Sequence, residues 1–545
     1  MPAYQPKPGT ILYNHLISDI ETGKVKIPQF QRKFVWPIEQ TAHLIDSILK
    51  GYPIGTFIIW ETNERLRSVR NLGGADLPET PAGSKVQYVL DGQQRMTSIY
   101  VALKGSVLLS EDGGVVDYSQ MYVDLSASPD EQIVVTTKDD ATPEHYISIV
   151  KLLNAGIGWL ASNFTPEQLD LIDTYRTAIS TYQFPKIDVI DAPIDIATEI
   201  FTRINVNGKA LSLFEIMVAK TYDVDKKFDL SEKYEQLMTV LNEMEYGTVS
   251  SATVLQAAAV CIDKDCTKKK ILKLNKEQFI NEWDHIESAI KSAIDYFRCT
   301  YRIPASQILP YDALIVPFAY YFYHHPDKPI DIQQDQLRDY FWRCVLTSRF
   351  SSAAESKVTQ DIKCMDDILS GNTPEYDMPP VDISTATLGN RGYFSSGSAF
   401  IKGMLCILAY HEPKSFADNA IVKIANDWLK QANSKNYHHF FPRAYMRKVH
   451  PEIEDWRVNH IANITIVDDF LNKRSIRDRA PSNYMAEFKK KNPDHIEEAM
   501  ETHLISLADD AGVFTDDYEA FFQHRLERFS KELQDRLILT QYDKV

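Results

Sequence analysis

Apolar residues follow two rhythms along the chain. In roughly the first 220 positions, short apolar runs of strand length alternate with amphipathic stretches, and from about 230 to 370 the three-and-four spacing of helices is almost unbroken. Residues 8–20 predict a short amphipathic helix through Ile11, Leu12, Leu16, Ile17 and Ile20. Residues 27–37, with proline near both ends, predict an ordered loop or edge segment. A helix is expected over 39–50, with Leu44, Ile45, Ile48 and Leu49 on one face and Gly51-Tyr52-Pro53 as its stop. Buried strands are expected over 55–61 and 86–90, on either side of a polar loop at 63–84. Next come a helix over 96–104, a hairpin over 115–125, helices over 147–153 and 166–182, and a strand over 187–190. Ser212 and Glu215 form a capping box for a helix over 213–222. The long helical region divides into 230–246, 251–261, 276–296, 311–324 and 333–347. Residues 348–356 read as a polar loop, 371–383 as a proline-bearing linker, and 391–398 as a Gly/Ser-rich segment. Helices over 399–410 and 418–432 lead into the last region, which a helix over 518–539 closes. No internal repeat is evident.

A chain of 545 residues exceeds one core. The pattern predicts an α+β, predominantly helical protein with an α/β domain over 1–225, a helical spacer over 226–370, a linker over 371–398 and a final domain over 399–545. With 44% hydrophobic and 25% charged residues the composition is ordinary for a globular protein, and no apolar run reaches the length of a membrane span. The N-terminus lacks a basic start followed by an apolar stretch, so no secretion signal is expected. The six cysteines have no Cys-x-x-Cys pair and no zinc spacing, which fits reduced thiols and a cytoplasmic location. A net charge of −16 argues against a protein that coats nucleic acid nonspecifically. Within 435–491, however, 12 Lys and Arg stand against 7 Asp and Glu. This basic island suits phosphate-backbone contact, with Arg443, Lys473, Arg474 and Arg477 as candidate DNA-binding residues; a solvated helix face is the plainer alternative.

Candidate chemistry concentrates in that island. Tyr437-His438-His439-Phe440-Phe441-Pro442 is followed by Asn459-His460-Ile461-Ala462-Asn463 and then by Asn472. A second His pair, His324-His325, closes an aromatic helical run before Pro326 and reads as a helix end. The pair at 438–439 differs in being followed by two asparagines at set distances, and the stretch resembles an HNH nuclease motif. That resemblance implies two short strands and a helix holding one divalent cation, Mg²⁺ or Mn²⁺, against a scissile phosphate. In the motif the second His, here His439, activates water; the first His and the last Asn, here His438 and Asn472, hold the metal; the middle Asn, here Asn463, braces the loop. A neutral His suits base catalysis near pH 7, and a hard cation suits His, Asn and phosphate oxygens. Neighbouring residues on a strand point to opposite faces, so the pair can serve one site only where the strand end is twisted or bulged. His460 is a decoy close to the same place.

A second candidate is the turn Asp91-Gly92-Gln93-Gln94-Arg95, between an expected strand and an expected helix. Free N–H groups and the positive helix end favour an anion there, with Arg95 able to grip a phosphate; a structural salt bridge is the alternative. Ile-Pro-Gln-Phe-Gln-Arg at 27–32, Trp36, Gly-Tyr-Pro-Ile-Gly at 51–55, this turn, and the stretch 199–215 around Arg203, Asn205 and Asn207 together resemble the ParB-like N-terminal domain of GmrSD-type restriction proteins. The last 120 residues or so resemble the HNH-type module commonly fused to it. The resemblance implies bacterial anti-phage defence. It implies cleavage of double-stranded, modified phage DNA, coupled to binding or hydrolysis of a nucleoside triphosphate (GTP, ATP or CTP) at a site including Asp91, Gly92, Gln93, Gln94, Arg95, Gln31, Arg32 and Asn205. A homodimer is left open. Two other functions fit the same residues: a ParB-like nucleotide switch whose HNH-like module only binds DNA or a partner, and an HNH RNase toxin.

Overall fold

The computed structural model describes all residues except 1–4, 29–33, 35, 67, 71, 73–76, 82, 110–114, 129, 140, 205–211, 224, 427–436 and 468–475. The chain divides into two compact units, Met1–Leu230 and Ser231–Val545. The architecture is mixed α+β and mostly helical.

The first unit is built on a six-stranded mixed sheet. Its strands are β1 (Lys7–Leu12), β2 (Val25–Pro28), β3 (Phe57–Thr62), β4 (Ser68–Arg70), β5 (Val86–Asp91) and the late β11 (Gln183–Ile190), in the spatial order β1-β11-β3-β5-β2-β4. β11 runs parallel to β3 and antiparallel to β1, so the sheet closes around a strand that arrives 120 residues after its neighbour. Phe57, Ile59 and Trp60 of β3 and Tyr88, Val89 and Leu90 of β5 are buried, as their nearly continuous apolar sequence demands. Helices α1 (Tyr13–Glu21), α2 (Ile38–Leu49) and α3 (Gln93–Lys104) contribute Leu16, Ile45, Ile48, Met96 and Ile99 to the core.

Several expectations change here. Only the second half of 8–20 is helical, because residues 7–12 pair with β11 and ladder bonds override the helical spacing. β4 lies inside the expected loop at 63–84. The expected hairpin over 115–125 is two strands in different sheets. β7 (Val115–Asp117) pairs back with β6 (Val107–Leu109), whereas β8 (Tyr122–Asp124) pairs with β9 (Val134–Val135) and β10 (Tyr146–Ser148). Between β7 and β8 the Asp117 carboxylate accepts from the Ser119 N–H and turns the chain through a 3-10 helix. Residues 147–148 belong to β10, and the helix starts at Ile149 behind a Ser148 cap.

The second unit is a helical assembly around Leu230–Glu243, Ser251–Asp263, Lys276–Cys299, Ile315–His324, Asp331–Leu346 and Ala399–Tyr410, close to the predicted spans. A further helix, Ala354–Leu369, overlaps the expected 348–356 loop, and Arg349 ahead of it is buried against Asp361 at 2.8 Å. The expected helix over 418–432 is replaced across 418–425 by a tight loop in which Lys414 pairs with Ile421; Asn426 is helical, and 427–432 lie outside the described residues. The 371–398 stretch carries the helix Thr385–Arg391 and makes backbone contacts with the 459–461 region. All six cysteines are free, and five are buried. Among the described residues no helix is long and apolar enough to cross a membrane.

Candidate active site

Two short antiparallel strands, β12 (Tyr437–His439) and β13 (Ile464–Ile466), place His438 opposite Thr465 and His439 opposite Ile464. The apolar residues around them fix the pair. Phe440 and Phe441 are fully buried and pack on Phe521 of the closing helix Tyr518–Gln534 with ring centroids 4.9 and 5.0 Å apart. The Tyr484 hydroxyl donates to the Phe440 carbonyl at 2.5 Å. Pro442 then starts the helix Arg443–Val449. His439 is the last residue of its strand and the chain bends at Phe440, so both histidines line one cavity although they are neighbours in sequence.

Asn463 ends a 3-10 turn, Ile461–Asn463, and is wholly buried. Its carboxamide accepts from the Phe441 N–H at 2.7 Å and donates to the Phe441 and Val458 carbonyls at 3.0 and 2.9 Å. It therefore ties the segment after the His pair to the turn before β13, and it braces the site without entering it. Arg525 locks the same turn from below, donating to the Ala462 and Ile464 carbonyls at 2.9 and 2.7 Å. Burial pushes its guanidinium down to about 9, with Arg528 adding to the effect. His460 accepts from the Ala462 N–H and donates to the Leu388 carbonyl, so it is a structural cap.

The cavity has a volume of about 330 Å³, and its walls include His438, His439, Arg443, Asn459, Phe394 and Arg477. His438 is 3% exposed, and its Nδ1 has no hydrogen-bond partner among the described residues. Burial, with smaller contributions from His439 and His503, pushes it down to about 3, so it is neutral at physiological pH and has a lone pair to give. His439 is also held below the usual imidazole range, mainly by burial; the Asn459 hydrogen bond opposes that effect and Arg443 adds to it. Its Nε2 lies 2.9 Å from the Asn459 Oδ1.

The basic island is partly neutralised by its own acids. Arg443 and Arg447 reach Asp455 at 2.5 and 3.3 Å, Arg457 pairs with Glu519 at 2.6 Å, and Arg479 and Lys491 share Glu487 at 2.8 and 2.6 Å. Asn472, Lys473 and Arg474 lie outside the described residues. Among the described residues no three His, Cys, Asp or Glu side chains gather as a metal site.

At the other candidate, Asp91 ends β5, Gly92 takes a left-handed φ of 88°, and α3 begins at Gln93. A Cβ at Gly92 would stand 2.5 Å from the Phe57 ring, so the turn requires glycine on two counts. Arg95 lies in the first helical turn and donates to the Ile54 carbonyl at 2.7 Å, the Thr56 carbonyl at 3.1 Å and Asp91 at 3.2 Å. Its guanidinium thus bridges the 54–56 loop to the turn. Gln93 and Gln94 are buried and bonded to each other at 3.1 Å. Arg203 pairs with Glu199 at 2.6 Å. Gln31, Arg32 and Asn205 lie outside the described residues.

Sequence reasoning passed over three contributors. Asn459 stood within the quoted motif, but the motif's spacing assigns a role to only one Asn of that stretch. Phe394 lay in a segment read as Gly/Ser-rich linker, and Arg525 on a helix read only as charged. Nothing in their local patterns marks them.

The chain is 24% identical over 521 residues to an uncharacterized protein of Methanocaldococcus jannaschii, with 87% of this chain and 86% of the relative covered. Residues 13–222 match the family model described as the GmrSD restriction endonuclease N-terminal domain, a match that supports a relation to the GmrSD-type restriction family.

Proposed function

We propose that this protein is a metal-dependent DNA endonuclease of the restriction type, with an HNH-like ββα-metal module around β12 and β13 as its cleaving site. One observation carries the reading. A neutral, buried His438 with an unpartnered Nδ1 and a hydrogen-bonded His439 open onto the same cavity, beside a turn braced by Asn463. The unpartnered nitrogen fits a divalent cation, Mg²⁺ or Mn²⁺, which His438 and Asn472 would hold. When bound, such an ion stabilises charge on the phosphate and the leaving oxygen. His439, neutral and facing the cavity, takes the proton of an attacking water. Arg443 and Arg477 on the cavity wall, with Lys473 and Arg474, would meet the DNA backbone.

The N-terminal unit is the ParB-like regulatory part in this reading. It supplies the dependence on modified phage DNA and on a nucleoside triphosphate, which would meet the first turn of α3 at Asp91, Gly92, Gln93 and Gln94, with Gln31, Arg32 and Asn205 as further contacts. Arg95 there acts through the fold, since its donors already serve Ile54, Thr56 and Asp91. The test is one incubation series of the pure full chain with modified and unmodified phage DNA, Mg²⁺ or Mn²⁺, and GTP, ATP or CTP in turn. Metal-dependent cleavage of modified DNA is expected. No cleavage of any DNA, or cleavage of RNA alone, would overturn it. His438→Ala and Asn472→Ala are expected to shift the Mg²⁺ titration while DNA binding persists; an unchanged titration would remove both as ligands.

A further inference from the structure

We infer that Asn459 is the positioning residue for His439, and that it holds the imidazole in the tautomer protonated at Nε2, which leaves Nδ1 as the basic atom; the inference rests on the nuclease reading only for the use made of that nitrogen. The Asn459 side chain has two polar ends with different partners. Its Nδ2 lies 3.3 Å from the Phe394 carbonyl, which can only accept. The Oδ1 end therefore faces His439, whose Nε2 is 2.9 Å away. An amide oxygen cannot donate, so the proton in that hydrogen bond is carried by Nε2. The neutral ring then keeps its lone pair on Nδ1, which makes no hydrogen bond among the described residues.

The relay is itself anchored. The Phe394 N–H donates to the Asn459 carbonyl at 2.8 Å, so the two residues clasp each other through backbone and side chain. Next to them the Ile461 N–H donates to the Gly392 carbonyl at 2.8 Å, and Tyr393 pairs with His460. Gly392 permits this approach: a Cβ there would lie 2.0 Å from the His460 Nε2. The segment 392–394, distant in sequence from β12, thus sets the orientation of His439 through one carboxamide. Asn459 does not need to touch DNA to matter. It determines which nitrogen of His439 can accept a proton.

The direct test is a long-range ¹H–¹⁵N correlation on the full chain labelled at histidine, with the His439 signals identified by their loss in His439→Ala. A neutral ring protonated at Nε2 is expected in the wild type and in Asn459→Asp, which keeps an acceptor. Asn459→Ala is expected to give a mixture of tautomers with unchanged helical content. A wild-type ring protonated at Nδ1, or an unchanged tautomer in Asn459→Ala, would overturn the inference. The parallel kinetic readout is DNA cleavage, in which Asn459→Ala should lower kcat about 10²-fold at nearly constant KM and Asn459→Asp should recover most of the loss. Where His439→Ala loses cleavage, equal kcat in Asn459→Ala and wild type would also overturn it. If His439→Ala cleaves as well as wild type, the nuclease reading fails, while the tautomer result still stands or falls on the spectrum.

Discussion

The Asp91–Arg95 turn and the His438–Asn463 stretch are both motif-rich, yet their polar groups are used in opposite ways. At the turn, the Arg95 guanidinium is taken by two carbonyls and a carboxylate, and the two glutamines bond each other. At the His pair, the polar groups divide into braces and open atoms. Asn463 and Arg525 are committed to backbone carbonyls, whereas His438 retains a buried nitrogen with no described partner and His439 faces a cavity. The buried His438 Nδ1 is thus uncompensated by any described partner, whereas the Arg95 guanidinium is fully engaged. The difference teaches that a motif match locates a site, while the bonds already made there show which residues remain to act.

Breaking the braces should have the largest effects. Asn463→Ala removes three backbone partners at a wholly buried position, leaving an N–H and two carbonyls unsatisfied. It should cost about 3 kcal/mol in urea unfolding of the second unit and abolish cleavage. A loss of activity without loss of stability would instead make Asn463 a group that touches substrate. Arg525→Met should cost slightly less, about 2 kcal/mol, because the methionine refills part of the volume and only two carbonyls lose their donor.

The turn sharpens the comparison from the other side. Arg95→Ala should destabilise the first unit by roughly 1–2 kcal/mol, since it unties the 54–56 loop from Asp91 and Gly92. Nucleotide affinity measured on the folded variant separates the two roles. Affinity that survives makes Arg95 a brace, and affinity that vanishes in a variant of wild-type stability makes it a phosphate ligand.

Acid acts on the second unit as a whole. Burial holds His460 down to about 4 and His503 down to about 3. Their unfolded forms bind protons below about pH 6.5, while the folded forms do so only near the depressed values. The second unit should therefore lose stability progressively as pH falls from about 6.5 toward 4, by up to about 1.4 kcal/mol per unit of pH for each histidine. Chemical denaturation at pH 7, 6 and 5 measures the slope, and His503→Gln should flatten it.

Much of the scaffold was legible in the residues. The strands at β3 and β5, the Ser212 capping box, the helix Pro166–Thr181 and the helix Ala399–Tyr410 all follow from local pattern, because each buries its own apolar face next to its own cap or stop. What escaped was non-local. Residues 7–12 carry a helical spacing that pairing with β11 overrides, and the 418–425 loop replaces a helix through a bridge to Lys414. Within the site, His438, His439 and Asn463 were marked by spacing. Asn459 and Phe394 meet only through a fold that joins positions 65 apart, which no local window reveals.

The measurement that bears most directly on the account is metal-supported cleavage of modified phage DNA by the pure full chain, wild type beside His439→Ala, with folding of both verified by thermal unfolding. Wild-type cleavage that falls by roughly 10²–10⁴ in His439→Ala at unchanged DNA affinity is the predicted result. Equal cleavage by the two proteins would contradict it and move the chemistry away from the His438–His439 cavity.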